Sequence, residues 1–416
     1  MKVLCVNHTG LQSGAEIASI RLLTNLPDDV EPIVACPDGP FAQALRDHGI
    51  SWRALPPTEA SLSLSPANLA RGCAGLTLGG LALRRIVGEC RADLVHALTV
   101  RAGILASICG GRGSAPLVVT VQDVLPAHPI SRVVARLLES RAAAIIVDSH
   151  YVKDRWLGRP DGGTPIDVVH PPGDPERFRP AQLDRAQSRA ALGLQPDGPV
   201  LGIVGQITPW KGQDDAVRAL HALRERFPSA ELAVAGAVLF DSSRYDNHGF
   251  EASLHSLIAE LGLADAVHML GHRDDIPRVL ASLDLLLVPS WEEPFGLVVV
   301  EAMSSGVPVF ATNLGGPGEI ITDGVDGLLL APRSPEVWAR EAARVLADRP
   351  LYEAMAAAGP ASASRFSPGA HADATVAVYR RAVRPPSPAT AHPGTDPATA
   401  SAQAGSPTTR ESSHAA

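Results

Sequence analysis

Two glutamates, Glu293 and Glu301, with seven residues between them, stand on either side of the valine-rich run in EEPFGLVVVEAMSSGVPV, residues 292–309. By β-propensity alone the valines favour a strand. In a strand the two carboxylates would lie about 27 Å apart, too far for one small ligand. In a loop followed by a helix they could serve the same one. Carboxylates accept hydrogen bonds and suit the vicinal hydroxyls of a ribose or a hexose. Pro294, Phe295 and Gly296 would then open the helix, and a helix N-terminus favours an anion. Lys211, in GQITPWKG, also precedes a helix, and it is one of only three lysines, with Lys2 and Lys153. Gly10 and Gly14 flank a turn in NHTGLQSGAE that leads into a helix, where free N–H groups can hold a phosphate. An ordinary strand–helix turn gives the same signal. Together these groups match a diphosphate with a sugar at each end, a nucleotide sugar.

Other chemistries fit less well. GQITPWKG lacks the Gly-Lys-Ser/Thr order of a phosphate-binding P-loop. No G-x-G-x-x-G opens the first helix, which argues against a dinucleotide. No D-x-D and no His/Cys cluster of metal-ligand spacing occurs, so neither a metal nor a cofactor is expected. A net charge of −8 disfavours nucleic acid. The five cysteines are odd in number and form no C-x-x-C, which suits buried thiols in a reducing cytoplasm. No segment has the length of a membrane span. The apolar run at residues 73–83, followed by Arg84 and Arg85, admits two readings: a patch on a membrane surface, or a buried helix with a polar end. The second is favoured, and peripheral membrane contact stays open.

The elements that would position these residues alternate. Short apolar runs at 2–6, 30–35, 93–96, 117–121 and 143–147 end in polar residues and are separated by helical stretches. The linker-like PPGDPERFRP, residues 171–180, follows. The pattern then restarts, with strands expected at 199–204, 231–235, 266–270, 284–288, 307–311 and 327–330 and a helix at 215–227. Such alternation predicts two α/β domains with parallel sheets covered on both faces. Their ligands would bind at the strand carboxyl ends, in the cleft between domains.

The segment from Gly271 to Pro332, GHRDDIPRVLASLDLLLVPSWEEPFGLVVVEAMSSGVPVFATNLGGPGEIITDGVDGLLLAP, resembles the C-terminal signature of retaining GT-B glycosyltransferases of family 4. More weakly, HTGLQSGAE, TVQDVLP and IIVDSHYVKD are similar to the N-domain motifs, and FSPGAHADATVAVYRRAV to the final helix. The resemblance implies a GT-B fold, two Rossmann-like doubly wound parallel-sheet domains facing a central cleft. The expected division is an acceptor domain at 1–175, a nucleotide-sugar donor domain at 176–365, a helix crossing back at 366–384 and a disordered tail at 385–416. It implies a loop for Glu293 and a helix for Glu301. By position Glu293 would hold the donor's sugar hydroxyls, and Glu301 the ribose. Backbone N–H groups at Phe295, Gly296 and Leu297 would meet the phosphates, Gly14 would belong to the first phosphate loop, and Lys211 would neutralise the leaving diphosphate. Gly271, His272 and Arg273 would touch the base.

Two positions depart from the family pattern. Gln206 stands where an arginine is usual, and Gln122 where a histidine usually contacts the transferred sugar. The implied function is a metal-independent, retaining transfer of a hexose or N-acetylhexosamine from a UDP- or GDP-sugar to a hydroxyl acceptor, small and polar. The alternative is a weakly catalytic or non-catalytic sugar-nucleotide-binding partner protein.

Overall fold

The computed structural model describes residues 1–57, 66–109, 115–158, 163–238 and 245–383. The tail expected at 385–416, and Arg384 before it, lie outside the described residues. In the first half, β1 (Lys2–Val6), α1 (Gly14–Leu23), β2 (Glu31–Cys36), α2 (Pro40–Asp47), β3 (Ser51–Ala54), α3 (Pro66–Cys90) and β4 (Leu94–Ala97) alternate. They are followed by α4 (Val100–Cys109), β5 (Leu117–Val121), α5 (Pro129–Arg141), β6 (Ala142–Val147), α6 (His150–Asp154) and β7 (Ile166–Val168). These strands form one parallel seven-stranded sheet in the order β3-β2-β1-β4-β5-β6-β7.

The second half begins with α7 (Arg185–Leu192), β8 (Val200–Val204), α8 (Gln213–Leu223), β9 (Glu231–Ala235), α9 (Asn247–Glu260) and β10 (Val267–Gly271). It continues with α10 (Ile276–Ser282), β11 (Leu285–Val288), α11 (Leu297–Ser304), β12 (Val309–Thr312), α12 (Pro317–Ile320) and β13 (Leu328–Leu330). Its six strands are also parallel, in the order β10-β9-β8-β11-β12-β13. Three helices close the described chain: α13 (Pro335–Ala347), α14 (Arg349–Ala363) and α15 (Pro368–Val383). Strand order reverses beside β1 and beside β8, which opens a crevice at the carboxyl end of each sheet.

The central strands form where the sequence has unbroken apolar runs, because a strand covered on both faces needs no alternation. The edges differ. β3, with the sequence SWRA, is largely exposed, and β7 is three residues long. Neither carries an apolar run, and sequence periodicity gave no sign of either. The valine run of residues 298–300 is helical. Val299, Val300, Ala302 and Met303 of α11 are buried in one cluster with Val309 of β12 and Ile320 of α12. That packing overrides the β-propensity of the valines.

The run at residues 73–83 lies within α3, but it is not simply a buried helix. Leu83 and Ile86 are buried, whereas Leu78 and Leu81 are 62% and 63% exposed. The helix is two-faced, with its apolar outer positions next to Arg84 and Arg85. Among the described residues no helix is long and apolar enough to cross a membrane.

The last helix returns to the first sheet. α15 packs on α1 and against β4, β5 and β6. Val376, Val378 and Tyr379 share a buried cluster with Val3, Cys5 and Leu94. The Tyr379 hydroxyl and His96 Nδ1 share a hydrogen bond of 2.6 Å, and His96 Nε2 meets Thr120 Oγ1 at 2.7 Å. Burial holds the His96 imidazole neutral, with its pKa lowered to about 3. Cys5, Cys36 and Cys90 are buried free thiols. Burial pushes Cys5 up to about 12 and Cys36 up to about 11, so neither forms a thiolate near neutral pH.

Tyr379→Ala should therefore cost about 3–5 kcal/mol, the range for emptying a large aromatic site. Urea denaturation measures it. A loss below about 1 kcal/mol would mean that α15 is not part of the first core.

Candidate active site

The loop after β8 carries Lys211 at the end of a short 3-10 turn, Pro209–Lys211. Gly212 follows with φ +71°, and a Cβ there would stand 2.4 Å from the Pro289 carbonyl oxygen. The turn thus lies directly against the end of β11, where the loop to Glu293 begins. Lys211 Nζ donates to Glu293 Oε2 at 2.7 Å, and Ser290 Oγ donates to the same oxygen at 2.8 Å. Glu293 is buried, and Lys211 also lies over the Trp210 ring, 4.2 Å from its centroid. A buried carboxylate needs a cation and hydrogen bonds, and here it has both. Both bonds fall on Oε2. Among the described residues Oε1 accepts no hydrogen bond, so it is available to a ligand.

Glu301 lies one turn into α11 and is likewise held by one oxygen, Oε1, by Arg21 at 2.9 Å. Burial raises its pKa, and Arg21 pulls it back down. Gly296, with φ +97°, caps the helix. Val299 N–H donates to the Gly296 carbonyl at 2.9 Å; among the described residues the amides of Leu297 and Val298, at the start of the helix, have no backbone partner and can meet an anion. Phe295 enters this site only through its backbone. Its side chain is buried, stacked on His170 at 5.5 Å between ring centroids and edge-on to Phe366.

The remaining expected residues are spread along the strand ends. Gly14 opens α1, but Glu16 already occupies that N-terminus: its Oε2 accepts from the Ser13 amide at 2.9 Å and its Oε1 from Asn7 Nδ2 at 2.9 Å. A buried carboxylate at the first turn competes with an incoming phosphate. Gln206 follows Gly205, and its carbonyl accepts from Gln213 Nε2 at 2.8 Å. Arg273 does not supply a second free cation near Lys211, because Asp275 binds its guanidinium at 2.8 and 2.7 Å. Gly271 ends β10 with φ +66°, and His272 beside it is exposed. Gln122 lines a small cavity of about 30 Å³, together with His96, Thr120, Asp148 and His371. Burial pushes Asp148 well above the ordinary carboxylate range and His371 down to about 4, so the His371 imidazole is neutral there.

Asp123, which the sequence did not single out for a role, lies near this site. It lies just past β5, exposed to solvent and within electrostatic reach of Lys211 and Glu293. Desolvation raises its pKa, with Lys211 opposing and Glu293 adding. The only signal for it was its place beside Gln122 in TVQDVLP. Across the domain boundary, Ser149 Oγ donates to the Pro294 carbonyl at 2.6 Å, and Tyr151 Oη donates to Glu292 at 2.7 Å. Glu319 accepts from the His150 and Tyr151 amides, each at 3.0 Å, and meets His170 Nε2 at 2.8 Å. Burial works against its charge, but these bonds hold its carboxyl below the usual range.

Glu293 depends on a glycine 22 positions away. Gly315 has φ +127°, and a Cβ there would lie 1.9 Å from the Glu293 carbonyl oxygen. Gly315→Ala should destabilise the protein by at least about 2 kcal/mol, through strain and displacement of the Glu293 loop. Chemical denaturation checks this, and a wild-type midpoint would refute the close packing.

Comparison with known proteins agrees with this geometry. Residues 12–177 match the family model described as Glycosyltransferase Family 4, and residues 184–362 match Glycosyl transferases group 1. The D-inositol 3-phosphate glycosyltransferase of Mycolicibacterium vanbaalenii is 32% identical over 310 residues, covering 70% of this chain and 67% of that protein. The protein of the same name from Segniliparus rotundus is 39% identical over 221 residues, 53% of this chain and 47% of that one. The matches thus span about half to two thirds of the length of these curated relatives. Among solved structures, Anabaena Alr3699/HepE in complex with UDP-glucose superposes with a TM-score of 0.78 at 26% identity, over 91% of this chain and 99% of that one. Sucrose-phosphate synthase from Thermosynechococcus elongatus shares the fold, with a TM-score of 0.72 at 20% identity, over 91% of this chain and 98% of that one. The chain belongs to glycosyltransferase family 4, the glycosyl transferases group 1, and has the GT-B fold.

Proposed function

We propose that this chain transfers a hexose or N-acetylhexosamine from a UDP- or GDP-sugar to a hydroxyl of a small polar acceptor, with retention and without a bound metal. The observation that carries this reading is the grouping at the carboxyl end of the second sheet. Lys211 and Glu293 pair there, the N-terminus of α11 and Glu301 follow directly in the chain, and among the described residues one oxygen of each carboxylate accepts no hydrogen bond. The UDP-glucose complex of the Anabaena protein supports a nucleotide-sugar donor. The names of the curated relatives support a cyclitol-like acceptor. The buried free thiols fit a reducing cytoplasm.

In this reading Glu301 accepts hydrogen bonds from the ribose. The first turn of α11 receives the diphosphate, and Glu293 orients the transferred sugar. The acceptor oxygen attacks the anomeric carbon from the face the diphosphate leaves. The carbon–phosphate oxygen bond breaks, and the acceptor's proton passes to the departing phosphate oxygen. Negative charge grows on that oxygen, and Lys211 meets it. An interaction that strengthens as charge develops acts on turnover rather than on binding. Lys211 must then exchange Glu293 for phosphate, which Ser290 eases by keeping a hydrogen bond on the carboxylate.

A second reading, a sugar-nucleotide-binding partner protein with little catalysis, rests on the neutral Gln206 and Gln122. Calorimetry with UDP- and GDP-sugars, followed by a donor-hydrolysis assay, separates the two. Binding with turnover supports the enzyme, and binding without turnover supports the partner protein. An inverted product anomer by NMR would reject retention.

Lys211→Ala should lower kcat about 100-fold or more and change nucleotide-sugar affinity far less. Turnover near wild type would make Lys211 a structural residue. Activity should also survive EDTA, because Lys211 and the α11 N-terminus meet the phosphate charge. Complete loss restored by Mg²⁺ would overturn that part of the proposal.

A further inference from the structure

Arg21 belongs to the first domain, yet its side chain ends in the second. It sits in the last turn of α1, and its side chain is only 8% exposed. Nη1 donates to the Pro172 carbonyl at 3.0 Å, and Nη2 donates to Glu301 Oε1 at 2.9 Å. Nε lies 3.8 Å from Asp174, and the guanidinium stands 5.9 Å from the Phe178 ring centroid. One planar group therefore links α1, the segment joining the domains, and α11.

We propose that Arg21 is a positioning residue for the nucleotide: it fixes the Glu301 carboxylate so that its second oxygen accepts hydrogen bonds from the ribose hydroxyls. The proposal rests on the reading of Glu301 as the ribose acceptor. A planar fork tied to a backbone carbonyl cannot rotate freely, so the carboxylate it holds is fixed in plane and in direction. The bond uses Oε1, and among the described residues Oε2 accepts no hydrogen bond. Glu301 also needs a cation to stay ionised. Its side chain is 13% exposed, and burial favours the protonated acid, which would donate rather than only accept. Arg21 is the main opposing charge, with Arg177 adding to it and Asp174 acting against. A mere clamp between domains would need no free oxygen at its far end.

The test compares the dissociation constants of UDP and 2′,3′-dideoxy-UDP by calorimetry, with the guanine pair used instead if GDP binds wild type more tightly. Wild type should favour the ribonucleotide by at least about tenfold, as expected for hydrogen bonds to a charged group. Glu301→Gln should bring that ratio close to one. If it does not, Glu301 does not hold the ribose and the underlying reading fails, whatever Arg21 does. Given that result, Arg21→Met should reduce the ratio to within about threefold of one. Should Arg21→Met not fold, Arg21→Gln, which retains hydrogen bonds without the charge, is held to the same threshold. A wild-type ratio in the Arg21 variant, even with a lower melting temperature, would make Arg21 only a clamp and overturn the proposal.

Discussion

The site is organised by the pairing of Lys211 with Glu293. Neither charge lies in open water, and each is the other's main counter-charge. The pair gives each of these enclosed charges a partner in the absence of ligand. It also explains why the loops around it are so constrained. Gly212 brings the lysine turn against Pro289, Gly315 lets a second loop touch the Glu293 backbone, and Ser290 supplies the extra hydrogen bond.

Glu301 repeats the design across the domain boundary. It too is buried, it too is held through one oxygen, and its cation comes from another part of the chain. Other links between domains set backbone groups or side chains against carbonyls and carboxylates, as at Ser149, at Glu319 and in the Arg155–Glu292 ion pair. The cleft is therefore lined by groups already satisfied on one side. A ligand with alternating hydroxyls and phosphates can bind there without first disrupting a tight apolar seam.

Much of this was legible in the sequence. The central strands follow apolar runs, and the family resemblance put Glu293 in a loop and Glu301 on the helix after it, as found. What escaped detection has physical causes. β3 and β7 are edge strands, so they lack the doubly buried pattern that marks a strand. The valines of α11 misled local propensity, because packing decided their conformation. Leu78 and Leu81 of α3 carried the apolar signal of a buried helix but face outward. Arg21 was invisible for another reason. Its partner Glu301 lies 280 positions away, and no local pattern encodes such a pair. Glu16 was overlooked because a capping carboxylate and an empty phosphate loop share the same glycine-rich signature.

The chain of contacts from Thr120 through His96 to Tyr379 bears on how the protein is made. Tyr379 lies 283 positions after His96 and fills the same core as Val3 and Cys5. During synthesis the first sheet emerges long before that tyrosine, so its centre waits with an imidazole and an apolar hollow uncovered. The second sheet has no such debt: its core cluster around Trp338 and Val217 draws only on residues 201–355. A chain that leaves the ribosome from its N-terminus, and whose domains tend to fold in that order, is here made to finish its first domain last. Contacts of such long sequence separation slow folding, and the exposed core would be the natural place for a chaperone to bind the nascent chain.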